Sequence, residues 1–160
     1  MTMNGINAPE QEPTVSEYQA FLDSRRNGLW SVDREYRLQL WNRAAIPLFR
    51  DLFGVEPRRS FAVTEALNRG AAERWRSRYD RALSGERVRA EDQVELDGEE
   101  RVFEFRVNPI KTDSDVSGAS VLARDISERK REQDRLGEYA SRFQYILELT
   151  AQLGNEVRDL

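Results

Sequence analysis

Neither cysteine nor histidine occurs anywhere in the 160 residues, and these two absences remove most of the familiar site chemistry. Without cysteine there is no disulfide, no thiolate metal site and no cysteinyl adduct or nucleophile. Without histidine there is no phosphohistidine, no His-ligated haem, no Ser-His-Asp triad and no His-rich metal centre. No run of about 20 apolar residues is available to span a bilayer, and the N-terminus lacks the basic-then-apolar pattern of a secretory signal. The expectation is a cytoplasmic module with no membrane partner. A phosphate-cradling glycine loop, a Ser/Lys motif and a carboxylate pair in a recognisable acid/base context are also missing, so the reading is non-catalytic, with no metal.

What remains is an ordinary globular composition, with 39% apolar and 34% charged residues. A net charge of −4 argues against a dedicated nucleic-acid binder. The length suits one domain of about 100–150 residues plus an extension.

The extension is visible at the C-terminus. Leu136, Tyr139, Phe143, Ile146, Thr150, Leu153, Val157 and Leu160 recur at alternating steps of three and four, a heptad seam running into the last residue. Read from Glu128, the helix is about 50 Å long. An apolar stripe of that length calls for a partner, most simply a second copy of the chain, with an effector expected beyond Leu160. The alternative is that the helix folds back on its own domain. Leu147 and Leu149 fall at e and g and widen the apolar face, as in a four-helix bundle or a helix pair that touches another surface. Gly137 and Gly154 each cost about 1 kcal/mol relative to alanine, so the helix depends on its contacts for stability.

Upstream, residues 1–13 read as a disordered tail. Thr14-Val15-Ser16-Glu17 is a capping-box pattern opening a short helix to about Asp23, with Tyr18, Phe21 and Leu22 on one face for a core or a second subunit. Leu29–Val32 and Arg37–Trp41 form a hairpin. Asn42 is placed to cap a helix over Arg43–Phe53, which Pro47 should shorten or break. Phe61–Leu67 supplies another helical turn or two. Ala71–Leu83 is a clearer helix, with Trp75 and Tyr79 on one side and Arg74, Arg78 and Arg81 on a solvated neighbouring stripe, ending at Gly85. Val88, Ala90, Asp92, Val94 and Leu96 alternate as one face of a half-buried strand, and Asp97-Gly98 turns the chain. The return strand carries Phe103, Phe105 and Val107 on one face and Glu104, Arg106 and Asn108 on the other, and Pro109 should weaken or end it. A polar loop over Lys111–Gly118 leads to a fifth strand over Ala119–Ile126.

This order, with these residues, resembles the PAS domain family over about Tyr18–Arg129. Arg124-Asp125-Ile126-Ser127-Glu128-Arg129-Lys130 is similar to the Asp-Ile-Thr motif at which PAS sheets pass into a signalling helix, with serine in place of threonine and its hydroxyl expected to cap the helix as threonine's would. Gly28-Leu29-Trp30-Ser31-Val32-Asp33 followed by Leu40-Trp41-Asn42-Arg43-Ala44-Ala45 is similar to the family's first hairpin and its asparagine-started helix. The resemblance implies an α+β fold: a five-stranded antiparallel sheet with short helices across one face, enclosing a small cavity. Residues 14–127 are the expected domain with its flanking helix, and 128–160 the signalling helix.

The implied role is a sensory and dimerisation module of bacterial signal transduction, two-component systems included, upstream of a histidine kinase, diguanylate cyclase or transcription regulator. Asp125, Ile126, Ser127, Glu128 and Arg129 are the implied transmission residues. The homodimer is expected through the N-terminal helix (Phe21, Leu22), the sheet face and the heptad seam, with Tyr139 and Phe143 packing between the two domains. Trp30, Leu40, Trp75, Tyr79, Asp92, Phe103 and Phe105 are candidates to line a ligand cavity. The alternative is that the aromatics simply fill the core and a bulge turns Asp92 outward. Cysteine-linked flavin and His-ligated haem are excluded by composition, so no cofactor is expected; an unknown small molecule stays open, as does a noncovalent flavin whose usual asparagine and glutamine set is not visible. The competing function is a ligand-free structural dimerisation or protein-docking module.

Overall fold

The computed structural model describes residues 12–158, and the first eleven residues of the expected tail lie outside them. Helix α1 spans Val15–Asp23 and opens with the full capping box: the Glu17 N–H donates to Thr14 Oγ1 (3.3 Å), and the Thr14 N–H donates to the Glu17 carboxylate (2.6 Å). Strands β1 (Gly28–Asp33) and β2 (Leu38–Trp41) form the hairpin, with Trp30 opposite Trp41. The chain turns at Tyr36, whose φ is +62°.

Asn42 does more than cap. Its Oδ1 accepts the N–H of Leu29 (2.9 Å) and of Ala45 (3.1 Å), while Nδ2 donates to the carbonyls of Leu22 (3.0 Å) and Asn27 (2.9 Å). One fully buried amide thereby ties α1, β1 and the following helix together. That helix is broken, as Pro47 suggested: α2 covers only Ala45–Leu48, followed by a π-helical turn over Phe49–Phe53 that ends at Gly54 in the left-handed region. A 3₁₀ turn follows at Val63–Glu65, within the expected segment.

Helix α3 runs Arg69–Leu83, capped by Asn68 Oδ1 on the Ala71 N–H (2.9 Å). The arginine stripe is not wholly solvated. Arg78 is buried, its guanidinium 4.8 Å from the Trp75 ring centre. The aliphatic stem and flat cation let arginine pack where its charge alone would forbid it.

Strand β3 (Val88–Leu96) alternates in burial without a break, so Asp92 is half-buried on the same face as Val94 and no bulge turns it away. Asp97 and Gly98 both take positive φ, as a two-residue hairpin turn requires. Strand β4 is longer than expected, Glu99–Thr112, and runs straight through Pro109. The tight turn sets Val88 about opposite Val107, so beyond that point β4 has one edge without a β3 neighbour, where a missing N–H costs little. The polar stretch Lys111–Gly118 is likewise not a loop: only Asp113 and Ser114 turn, and β5 occupies Asp115–Asp125. The five strands form one antiparallel sheet in the order β2-β1-β5-β4-β3. Helix α4 then spans Ser127–Arg158.

By compactness the chain divides into two units. One holds the chain through Val88 with Arg106–Ala123; its core is Trp30, Val32, Leu38, Phe49, Trp75, Tyr79, Val107 and Val121, each at most 4% exposed. The other holds Arg89–Phe105 and the chain from Arg124 on, with Phe103, Phe105 and Ile126 buried.

Candidate functional site at the start of helix α4

The passage from β5 into α4 is built by three consecutive residues. Asp125 folds its carboxylate over the turn, where Oδ1 accepts both the Ser127 N–H (2.9 Å) and the Ser127 hydroxyl (2.6 Å). The charge lies at the positive end of the helix dipole. Its other oxygen faces Arg101 at 3.4 Å. The Ser127 hydroxyl does not cap the helix as expected. It reaches sideways and accepts the N–H of Val102 on β4 (2.9 Å), while the Ile126 N–H donates to the Val102 carbonyl (2.9 Å). The helix start is thus stitched to β4 by a reciprocal pair of hydrogen bonds in a region where Ile126 and Ser127 are buried.

Two ion pairs that sequence reasoning did not single out complete this unit. Lys130 on α4 meets Glu91 on β3 at 3.0 Å. Glu104, expected on the polar face of β4, is only 2% exposed and pairs with Arg89. Its neighbours Phe103 and Phe105 are also buried, which makes a continuous buried triplet that no alternating pattern signals. A polar groove of about 820 Å³ lies alongside, with Glu91, Glu99 and Glu100 on the hairpin side and Lys130, Arg131 and Asp134 on the helix side. Glu128 and Arg129 are exposed.

Past Lys130 every residue of α4 through Gly154 is exposed. Leu136, Tyr139, Phe143, Ile146 and Leu153 are between 57% and 68% exposed, and Leu147 and Leu149 flank them, also exposed. Thr150 donates its hydroxyl to the Ile146 carbonyl (2.8 Å). Val157 falls within α4, and Leu160 lies outside the described residues.

The cavity candidates separate into groups. Trp30, Trp75 and Tyr79 come together with Phe49 and Phe53 in a ring-to-ring cluster with centroids 5.1–6.0 Å apart. Trp30 Nε1 donates to the Tyr79 hydroxyl (3.2 Å). Burial holds the Tyr79 phenol well above the usual tyrosine range. Tyr36 stacks on Tyr79 and donates to Asp80, a bond that raises its own pKa. Phe103 and Phe105 belong to the other unit and stack on each other, centroids 6.4 Å apart. Leu40 is 53% exposed and lines an apolar groove of about 280 Å³ beside β1 with Leu22, Leu29, Trp41 and Leu122. Phe21 is exposed and lies under the Arg25 guanidinium (4.6 Å), with Val15 and Tyr18 exposed on the same helix.

Among the described residues no cluster of three acidic side chains is placed to hold a metal ion, and no helix is long and apolar enough to cross a membrane.

Residues 22–131 match the family model described as the PAS fold. The chain belongs to this family. Solved structures agree on the fold. The PAS domain of Bordetella pertussis BvgS superposes with a TM-score of 0.56 at 21% identity, over 79% of this chain and 96% of that one. A sensory box histidine kinase/response regulator from Burkholderia thailandensis gives 0.50 at 15% identity, over 79% and 97%. The VqmA dimer of Vibrio cholerae, described in the absence of its target DNA, gives 0.53 at 14% identity, over 74% of this chain and 53% of that one. A search of curated proteins finds no match.

Proposed function

We propose that this chain is a sensory and dimerisation PAS module that pairs through α4 and relays a conformational change from its sheet, through Asp125-Ile126-Ser127, along the helix to an effector. The observation that carries the reading is the exposed heptad stripe on a helix whose first turn is stitched to β4. An apolar seam of that length is stable in water only when covered, and a strand-anchored helix start converts strand displacement into helix displacement. The exposed face of α1 and the apolar groove at Leu22 and Leu40 support a second contact in the same homodimer. No catalytic, nucleic-acid or membrane role is assigned.

The second reading is a ligand-free dimerisation module, favoured by the aromatic cluster that fills the first unit ring to ring. Native mass spectrometry of the purified protein tests both readings at once, because one spectrum reports subunit number and any retained small molecule or cofactor. A dimer with added mass supports the sensor, and a bare dimer supports the structural module. A monomer at micromolar concentration refutes pairing. Ile146→Asp should weaken the dimer at least about a hundredfold by placing a charge in the seam.

A further inference from the structure

We infer that the β3–β4 hairpin is the element that sets the direction of α4, and that the Glu91–Lys130 ion pair is its adjustable contact. The inference rests on the relay reading above and specifies where the signal enters the helix.

Two contacts hold the helix base, and they differ in kind. At the first residue, Ile126 and Ser127 are 3% and 5% exposed and exchange two hydrogen bonds with the backbone of Val102. Such a buried reciprocal pair is a pivot. One turn further, Lys130 and Glu91 meet at 3.0 Å with side chains 37% and 35% exposed, at the edge of the polar groove. No apolar side chain seals the helix there, because Arg131, Glu132, Gln133, Asp134 and Arg135 are all polar and exposed. The angle of the helix therefore depends on charge across the groove. Glu99 and Glu100 on the hairpin, and Arg131 and Asp134 on the helix, are the other charged groups that line it. A half-exposed pair of this kind shifts an equilibrium only about 1.5- to 5-fold, and salt weakens it, so it opens and closes within thermal reach. The leverage is large. The pair sits three residues past the pivot on a helix of 32 residues, so a displacement at Lys130 reappears about ten times larger at the far end of a straight helix.

Hydrogen exchange at the amides of residues 130–134 reads the seating directly, in wild type, Glu91→Lys, Lys130→Glu and the double exchange. Each single variant should speed exchange about 1.5- to 5-fold, the double should return it to the wild-type rate, and α3 amides should stay unchanged. The helix dipole alone predicts a different pattern, since a carboxylate in the first turns stabilises a helix: Lys130→Glu would slow exchange and Glu91→Lys would do nothing. That pattern, or equal acceleration in α3, overturns the inference. The same series in an Ile146→Asp background reads the pair with the seam disrupted, so failure of the latch and failure of dimerisation appear in separate measurements.

Discussion

Replacing Ser127 with alanine removes one hydroxyl and two hydrogen bonds, and leaves a third in place. The Asp125 carboxylate still accepts the Ser127 N–H, but the hydroxyl's own donation to Asp125 is gone and the Val102 N–H loses its acceptor. At 5% exposure the site admits no ready replacement by solvent. At about 0.5–1.5 kcal/mol for each net hydrogen bond, the loss is about 1–3 kcal/mol, against a total stability of about 5–15 kcal/mol for a domain of this kind. Urea unfolding followed by tryptophan fluorescence should show a midpoint lowered by about 0.5–2 M with an unchanged slope. Ser127→Thr keeps the hydroxyl and should stay within about 0.5 kcal/mol of wild type. If alanine costs less than about 0.5 kcal/mol, or threonine costs as much as alanine, the stitch between α4 and β4 does not carry the weight assigned to it.

Asn42→Ala should cost about 2–4 kcal/mol, because the Leu29 N–H and two carbonyls lose a buried partner while the Ala45 N–H keeps the Asn42 carbonyl; limited proteolysis should then cut between α1 and β1 first. Gly118→Ala would set a methyl group well inside contact distance of the Val32 carbonyl oxygen across the β1–β5 pair, so unfolding should report a loss of about 1–3 kcal/mol. The Glu17 carboxyl is held below the usual range by the Thr14 N–H, so its contribution to α1 is complete above the ordinary carboxylate pKa and disappears as pH falls through the depressed value. Exchange of the α1 amides at matched intrinsic rates should rise in acid, and Glu17→Gln should remove that pH dependence.

The elements that local chemistry specifies were legible in advance. Thr14 and Glu17 announce a helix start, Asp97-Gly98 a tight turn, and residues 88–96 a half-buried strand, because each pattern is complete within about ten residues. The misreadings share one cause: a distant neighbour decides the outcome. Pro109 sits within β4 because the strand beside it has already ended, and Arg78 is buried because Trp75 offers its ring. Polar composition made 111–118 look like a loop, although strand ends carry the same composition when exposed. At the helix base, Asp125 and Ser127 could be picked out from the sequence, but the acceptor role of Ser127 toward Val102, 25 residues away, could not. Lys130 stood in the motif and Glu91 did not, and nothing in the sequence pointed to their pairing, which only the placement of the first turn of α4 beside β3 brings about.

The aromatic cluster also makes the protein its own optical instrument. Two of the three tryptophans, Trp30 and Trp75, sit 5.8 Å apart with planes inclined at 50°, a geometry that couples their transitions and should give a strong bisignate circular dichroism band. The third, Trp41, lies on the hairpin, away from full burial, and contributes an ordinary fluorescent signal. The coupled band follows the interior of the first unit, while the Trp41 share of the emission, isolated by difference from Trp41→Phe, follows the hairpin, so two unlabelled spectra distinguish a ligand that enters the core from a partner that docks outside it.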